Sequence, residues 1–415
     1  MRTNAILRAL VLSSAALALS LGAFALVFAQ DVGADVGGGA GIFRAKNPET
    51  KKSATKPTTP GTKPTNRATS TSRAKASAVA ERVEDLLDKG NAARDGRKFA
   101  EAEESYKEVL KLKPRDARAA YGLGNVYSDQ QRWDDAEAAY RNSVTWAPTN
   151  ADAHIALSVV LVQPRVDGDH AKRLADAEMF ARRSVQIDPK NAIGWDRLGV
   201  ALQARGLANS ETEHSYRRAI ELDPQFAAAY AHLARVLNRL GKPGEAAPLY
   251  QKAIELAKDP ATLNLIAESL QGEQLWPQSE PVLKKALELD SQNPASLLLM
   301  GRLLLVYRRF QEAEPYLKSA TEVSSRAFQP FNLLARAYLG MDRFSDAEAT
   351  YERASAFAGT GEKKQLAGLY GFEGVGDGYL KSNQKDKAVR AYQRALELDP
   401  NNSGAAQKLA KARQN

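Results

Sequence analysis

The 415-residue sequence contains no cysteine. Disulfide bridges, thiolate metal sites, cysteine nucleophiles and lipid attachment to cysteine are therefore excluded. Only four histidines are present, and neither their spacing to one another nor that to nearby acids resembles a metal site. No Ser/His/Asp or paired-carboxylate arrangement stands out by its spacing either. We therefore expect no enzyme activity, no catalytic residue, no metal and no cofactor.

The net charge of +9 and the isoelectric point of about 9.4 do not describe most of the chain, whose positive and negative charges nearly balance. Residues 1–29 carry +2 and residues 30–78 carry +6, which leaves +1 for residues 79–415. The alkaline isoelectric point therefore reflects the N-terminal part of the sequence and not a nucleic-acid-binding face. We expect neither a nucleic acid nor a small-molecule substrate as a partner.

Residues 1–29 have the pattern of an export signal. Arg2 and Arg8 form a basic start, residues 9–28 are apolar apart from three serines, and Ala29 ends a possible cleavage site. The apolar run of about 20 residues is also long enough, at about 30 Å, to cross a bilayer as a helix. Two interpretations follow. A cleaved signal predicts a periplasmic or secreted protein, and an uncleaved anchor predicts attachment to the inner membrane with the rest of the chain outside the cytoplasm.

Residues 30–78 have the composition of a linker. Residues 37–41 are nearly all glycine, and the stretch that follows is rich in Thr, Pro and Lys with almost no large apolar residue. Such a composition predicts a disordered segment, because too little surface is buried to offset the entropy of ordering. The segment is either a solvated tether or a basic arm, from Arg44 to Lys75, that contacts an anionic surface of the cell envelope.

From residue 79 to residue 402 the sequence repeats with a period near 34 residues, the mark of a helical repeat array. A small residue is followed by alanine at +12, tyrosine at +16 and proline at +24. Three sets show these offsets: Gly90, Ala102, Tyr106 and Pro114; Gly124, Ala136, Tyr140 and Pro148; Gly376, Ala388, Tyr392 and Pro400. We assign nine units, which start near residues 83, 117, 151, 192, 227, 260, 294, 328 and 369.

The repeated residues have physical roles in a pair of packed helices. A small residue in the first helix allows the second helix to approach, because protein cores are close-packed. A proline ends each unit, since it disfavours helical conformation in the preceding residue. Seven extra residues occur twice, near 164–171 in the third unit and near 362–368 before the ninth, and we expect them to form a surface loop and an extended helix start. The alternative is a local change in the pitch of the array or a partner-specific contact. Residues 403–415 predict a closing helix, with Ser403 as its cap and Ala406, Leu409 and Ala410 covering the last repeat.

These residues resemble the tetratricopeptide repeat over roughly residues 83–402. The consensus positions of that family are matched across neighbouring units by Trp195, Leu198, Gly199, Tyr127, Ala136, Tyr140, Ala219 and Pro224. The resemblance implies an all-α fold, a right-handed superhelical solenoid of antiparallel helix pairs, whose concave groove is lined by the first helix of each unit.

The resemblance also predicts which side chains face that groove. In this family, one such residue directly follows the small residue of the first helix. The other lies four positions before that following residue. Amides at these positions can bind the backbone of an extended peptide, and guanidinium groups suit carboxylates. The alternative is a hydrated groove with incidental charge. The predicted groove residues are Asn91, Asn125, Arg235, Asn264, Arg302, Asn332 and Arg336.

The sequence as a whole predicts an exported, non-catalytic scaffold that binds proteins or extended peptides in its groove. The alternative is a tethering or assembly protein of the cell envelope, which would act through its basic linker and an uncleaved membrane anchor.

Overall fold

The computed structural model describes residues 45–50, 67–165 and 169–414. Within these ranges all regular secondary structure is helical, which confirms the predicted all-α class. The predicted export segment and most of the predicted linker lie outside the described residues. None of the described helices is both long and apolar enough to cross a membrane.

Two compact units divide the chain, and each consists of consecutive helix pairs. The N-terminal unit falls within Gly33–Leu256 and the C-terminal unit within Ala257–Asn415. The N-terminal helices are α1 (Arg67–Asp95), α2 (Phe99–Leu112), α3 (Ala117–Asp129), α4 (Trp133–Trp146), α5 (Ala151–Leu161), α6 (His170–Ile187), α7 (Ala192–Ala204), α8 (Ser210–Leu222), α9 (Ala227–Arg239) and α10 (Pro243–Leu256). The C-terminal helices are α11 (Pro260–Gly272), α12 (Trp276–Leu289), α13 (Pro294–Val306), α14 (Phe310–Val323), α15 (Phe328–Gly340), α16 (Phe344–Ser355), α17 (Thr360–Ala367), α18 (Phe372–Lys381), α19 (Lys385–Leu398) and α20 (Ser403–Gln414).

The first helices of most pairs begin at the residue where the sequence places a unit start. Helices α3, α5, α7, α9, α11, α13 and α15 begin at residues 117, 151, 192, 227, 260, 294 and 328. Side-chain caps contribute to this agreement: Asn150 accepts a hydrogen bond from the Ala153 amide at 3.3 Å, and Asn191 accepts one from the Ile193 amide at 3.0 Å. Such caps satisfy amides that have no partner within the helix.

Three boundaries differ from the prediction. Helix α1 begins at Arg67, so residues 67–78 are helical and the predicted end of the linker at residue 78 is wrong. The extra residues near 362–368 do not extend the next helix but form the separate short helix α17, which packs mainly on α19. In α20 the buried residues are Ala405, Leu409 and Ala412, which share one helical face, and not the predicted Ala406, Leu409 and Ala410. The cap is Asn402 and not Ser403, since Asn402 accepts from the Ala405 amide at 3.0 Å.

In five of the described pairs, a large side chain of the second helix lies against a glycine of the first. The ring of Tyr140, which is 1% exposed, covers Gly124 so closely that an added Cβ would lie 2.5 Å from the ring. Tyr106 covers Gly90 in the same way, with a corresponding distance of 2.7 Å. Any side chain at these glycines would therefore separate the two helices of the pair.

The turns between paired helices contain a residue in the left-handed backbone region. Glycine occupies this position in two of the described turns, at Gly206 and Gly241, where φ is 78° and 74°. Six other turns use larger residues with φ between 56° and 61°, namely Arg97, Gln131, Gln274, Arg308, Asp342 and Asn383. A left-handed residue other than glycine costs about 1 kcal/mol. Helix packing must therefore impose the turn, which explains why the sequence pattern does not mark this position.

We predict that Gly124→Ala lowers the free energy of unfolding by about 1–3 kcal/mol, because the new methyl group would overlap the Tyr140 ring. The measurement is chemical denaturation followed by circular dichroism. Gly244→Ala is the matched control: Gly244 lies in α10, and an added Cβ there meets no atom within 4 Å. That control should leave stability unchanged or raise it by up to about 1 kcal/mol. Equal midpoints for Gly124→Ala and the wild type would contradict the assigned role of this contact.

Candidate peptide-binding groove

A short segment of the chain itself, residues 45–50, lies along helices α1 and α3 in the N-terminal unit. The segment is neither helix nor strand. Its carbonyl groups accept hydrogen bonds from four side chains of the two helices: Arg94 to Ala45 at 2.6 Å, Asn125 to Lys46 at 2.7 Å, Asn91 to Pro48 at 3.1 Å and Arg118 to Glu49 at 3.4 Å. We call the surface formed by Asn91, Arg94, Arg118 and Asn125 the N-terminal groove.

The order of these contacts shows that the segment is extended and antiparallel to both helices. Along α3, the contact moves from Asn125 at Lys46 to Arg118 at Glu49. Seven helical residues span about 10 Å at 1.5 Å each. Three residues of an extended chain also span about 10 Å. The spacing of the groove therefore fits an extended polypeptide.

Buried tyrosines fix the orientation of the two asparagine side chains. The Tyr106 hydroxyl donates to Oδ1 of Asn91 at 2.7 Å, and the Tyr140 hydroxyl donates to Oδ1 of Asn125 at 2.8 Å. Since Oδ1 of each amide is occupied, the Nδ2 group is directed to the carbonyl of the segment. Burial raises the pKa of both tyrosine hydroxyls well above their ordinary value, so that they remain protonated donors at physiological pH.

Ion pairs position the two arginines of the groove. Arg94 is 2% exposed, and its Nε and Nη2 donate to the two carboxylate oxygens of Asp129 at 2.7 and 3.2 Å. Arg118 makes a comparable pair of bonds to Glu84, at 2.8 and 2.9 Å. These two-point contacts fix the plane of each guanidinium. The remaining donors then face the carbonyls of Ala45 and Glu49.

The segment also makes specific side-chain contacts. Oδ1 of Asn47 accepts from Arg94 at 3.0 Å, and Nδ2 of Asn47 donates to Asp95 at 2.9 Å. Ala45 and Pro48 are buried, whereas Lys46 and Glu49 are exposed. The groove thus buries Ala45 and Pro48 and bonds to the Asn47 amide, and it leaves the two charged side chains of the segment in solvent.

Two of the seven predicted groove residues, Asn91 and Asn125, are thus brought together on one extended segment. The repeat pattern does not identify Arg94, Asp95 and Arg118 as part of this surface. Arg94 lies one helical turn after Gly90, and this spacing could have suggested that it shares the groove face. No sequence pattern distinguished residues 45–50 from the surrounding linker.

The predicted residue Arg235 belongs to a buried polar network of the N-terminal unit. Arg235 is 4% exposed, and its Nη2 lies 3.3 Å from Oε1 of Gln203, which also accepts from the Tyr216 hydroxyl at 2.6 Å. Beside it, His232 lies 2.8 Å from the fully buried Asp196. Burial lowers the pKa of His232 despite this carboxylate. These contacts give Arg235 a role within the fold, and its binding of a ligand stays a prediction.

Two predicted residues of the C-terminal unit bond to neighbouring helices. The Asn264 amide uses both of its polar atoms: it donates to Asn293 at 3.0 Å and accepts from the Ser296 hydroxyl at 2.7 Å. Arg302 donates through Nε and Nη2 to Oε1 of Gln271, at 3.0 and 2.8 Å. Both therefore connect adjacent helix pairs. Asn264 is 5% exposed, and these bonds give it a role within the fold, while its groove role stays a prediction.

The last two predicted residues, Asn332 and Arg336, lie on α15 and are 3% and 8% exposed. The guanidinium of Arg336 lies 5.2 Å from the ring centre of Tyr370. Both residues of that pair line a cavity of about 630 Å³ between α15 and α18, together with Asp377. A ligand at this position stays a prediction.

The described residues include no group of three or more His, Asp or Glu side chains arranged to hold a metal ion.

We predict that Asn91→Asp/Asn125→Asp releases residues 45–50. The substituted carboxylates keep the oxygen that accepts from Tyr106 and Tyr140 but lose the donor to the segment. Two lost hydrogen bonds, at about 1 kcal/mol each, should raise the open population about tenfold or more. Trypsin cleavage after Lys46, followed by mass spectrometry, measures this population.

The matched control for this experiment is Asn401→Asp, because Asn401 is an exposed asparagine of the C-terminal unit. It should be cleaved after Lys46 at the wild-type rate. Cleavage of the double variant at that same rate would show that the two amides do not retain the segment.

Comparison with known proteins shows which families and proteins this chain resembles. Family models described as tetratricopeptide repeat match residues 87–163, 215–247 and 371–402. The cellulose synthase operon protein C of Xanthomonas axonopodis pv. citri (strain 306) is 31% identical over 180 residues, which are 42% of this chain and 12% of that protein. The protein O-mannosyl-transferase TMTC3 of Mus musculus is 25% identical over 174 residues, 42% of this chain and 16% of that protein.

The chain thus spans less than a fifth of the length of either curated relative. Among solved structures, the APC/C hetero-tetramer Cut9-Hcn1 gives a TM-score of 0.46 at 15% identity, over 83% of this chain and 64% of that chain. The helix pairs and the tyrosine–glycine contacts agree with these three matches, and we conclude that the chain contains tetratricopeptide repeats within residues 87–163, 215–247 and 371–402.

Proposed function

We propose that this protein is a scaffold that binds extended segments of other proteins in its N-terminal groove. The observation that carries this proposal is the seating of residues 45–50, whose carbonyls accept four hydrogen bonds from the groove. A groove that binds one extended segment through its backbone can bind another of similar geometry, since every polypeptide carries these carbonyls.

The magnitude of these contacts fits reversible binding. A hydrogen bond contributes about 0.5–1.5 kcal/mol net, and those made by charged donors such as Arg94 and Arg118 contribute about 1.5–3 kcal/mol. Preorganisation of the donors makes the binding free energy more favourable, because ion pairs and tyrosine hydroxyls hold these donors in position before a ligand binds. The groove is therefore prepared for binding, and little entropy is lost in ordering its side chains.

The matches to the tetratricopeptide-repeat family support the same proposal, since proteins of this family generally bind proteins or peptides. We propose that the remaining helix pairs are units of the same kind, nine in all. In the C-terminal unit, the cavity beside Arg336 and Tyr370 offers a second position for a partner. Asn332 lies one turn before Arg336 on α15, and Arg302 lies on α13. Two binding positions in one chain would allow it to hold partners together.

The proposal assigns binding and not catalysis to this chain. The polar side chains of the N-terminal groove are amides and ion-paired guanidinium groups, which suit recognition of carbonyls and carboxylates. One curated relative is named as a transferase, but this chain matches 16% of its length. An activity of that relative is therefore not transferred to this protein.

We also propose that the protein acts outside the cytoplasm, on the basis of the basic start and apolar run of residues 1–29. The protein recovered from its own cells should begin at Gln30, as N-terminal sequencing can determine. A chain that begins at Met1 would indicate an uncleaved anchor, and with it the tethering role in which the basic linker contacts the cell envelope.

The test of groove binding must account for the segment that already occupies the groove. We therefore define an open variant, a full-length chain in which residues 45–50 are replaced by alternating glycine and serine. This replacement keeps the carbonyls but removes the Asn47 contacts and the buried Pro48 ring, and it makes the segment flexible, so that it should leave the groove. Proteins that bind the groove should be recovered with the open variant from the cells of origin, and their cross-links, mapped by mass spectrometry, should fall on α1 and α3. Adding Asn91→Asp/Asn125→Asp should reduce recovery about tenfold or more, because two donors are lost.

Two further variants complete this comparison. The open variant with Asn401→Asp should behave as the open variant alone, and Arg302→Glu/Arg336→Glu reports separately on the C-terminal unit. If the same proteins are recovered in the same amounts with every variant, the groove is not the binding surface.

A further inference from the structure

We propose that the N-terminal groove selects a particular sequence, Ala-X-Asn-Pro, where X is any residue. Its partner would be a protein that presents this sequence in an extended conformation. Residues 45–48, Ala-Lys-Asn-Pro, are then a resident copy of the ligand that competes with the partner. This inference rests on the proposed function and specifies the partner of the same groove.

The asparagine of the motif is selected by paired donor and acceptor contacts. Arg94 donates to Oδ1 of Asn47, while Asp95 and the carbonyl of Asn91 accept from its Nδ2 at 2.9 and 3.4 Å. A primary amide matches both groups, because it has one acceptor and two donor hydrogens. An aspartate at this position would place a carboxylate against Asp95, and the repulsion of like charges would disfavour it.

The proline is selected by burial and by its conformation. Pro48 is buried, and its carbonyl accepts from Asn91. A proline has no amide hydrogen, so its burial leaves no donor without a partner. It also fixes its own φ and favours extended conformation in the preceding residue, here Asn47. A segment with this dipeptide is therefore ordered in part before it binds, which reduces the entropy lost on binding.

The alanine is selected by the space available. Ala45 is 6% exposed, and its carbonyl lies 2.6 Å from Arg94, which Asp129 holds in place. A larger side chain at this position would have to displace buried groups of the groove. Lys46 and Glu49, by contrast, are exposed and bond to the groove only through their carbonyls. These two positions accept many residues.

Covalent attachment favours the resident copy over a partner. Residues 51–66 connect the segment to α1, so its local concentration at the groove exceeds that of a free ligand. A partner must therefore bind more tightly than the resident copy, or the resident copy must leave first. Competition of this kind lowers the apparent affinity of the wild-type chain for any groove ligand.

The experiment uses a fluorescent synthetic peptide with the sequence of residues 42–52 and measures its binding to the full-length chain by fluorescence anisotropy. The open variant should bind the peptide at least about tenfold more tightly than the wild type, because its own competing segment is removed. Two altered peptides, Asn47→Asp and Ala45→Leu, should each bind the open variant at least about tenfold more weakly. The control peptide Lys46→Ser should differ from the native peptide by less than about twofold.

A change in the protein tests the asparagine contact independently of the peptide backbone. Asp95 is exposed, so Asp95→Asn should leave the fold intact, as circular dichroism can verify. In the open variant this substitution should restore binding of the Asn47→Asp peptide to within about threefold of the native peptide, since the facing carboxylate has been removed.

The outcomes separate the two proposals. If all peptides bind the open variant equally and Asn91→Asp/Asn125→Asp weakens them all, the groove binds extended chains and the sequence selection is wrong. If no peptide binds the open variant, both the selection and the proposed function of this groove are wrong. If wild type and open variant bind the native peptide equally, the competition by residues 45–48 is refuted.

Discussion

The contact of a tyrosine ring with a glycine, found in several of the helix pairs, connects the helix packing of this protein to the N-terminal groove. The ring of Tyr140 packs over Gly124, and its hydroxyl donates a hydrogen bond to Asn125, the residue after that glycine. Buried hydroxyls require a partner, and here the partner is a groove residue. One side chain thus holds two helices together and orients the amide that bonds to residues 45–50.

The residue that accepts the hydrogen bond from the tyrosine hydroxyl differs between units. Tyr392 covers Gly376 and donates to Asp377 at 2.8 Å, as Tyr140 does to Asn125. Only an acceptor is required at this position, and either an amide or a carboxylate supplies it. The amide presents a donor to the groove and the carboxylate presents a negative charge. The polar group presented on this face can therefore differ from unit to unit without altering the helix packing.

The periodicity of the sequence predicted the fold well because the periodic residues are those that pack. Glycine, alanine, tyrosine and proline recur at fixed offsets, and most first helices begin where these offsets place them. Departures arose where other interactions decide the structure. Helix α1 extends back to Arg67 through residues of linker composition, and α17 forms in an insertion that has no counterpart in the other units. Sequence periodicity carries no information about such additions.

The groove was less predictable than the fold, because a position that faces the groove can also be used within the fold. Asn91 and Asn125 bond to an extended segment, whereas Asn264 bonds to Asn293 and Ser296 of the adjacent pair. The difference lies in residues far along the chain, which one repeat pattern cannot show. The segment that lies in the groove was equally difficult to predict. Its Asn47 is recognised only by its contacts with Arg94 and Asp95, which are distant in the sequence. Binding residues of a repeat array are therefore identified by their partners in space, and the repeat itself identifies only the positions from which they are drawn.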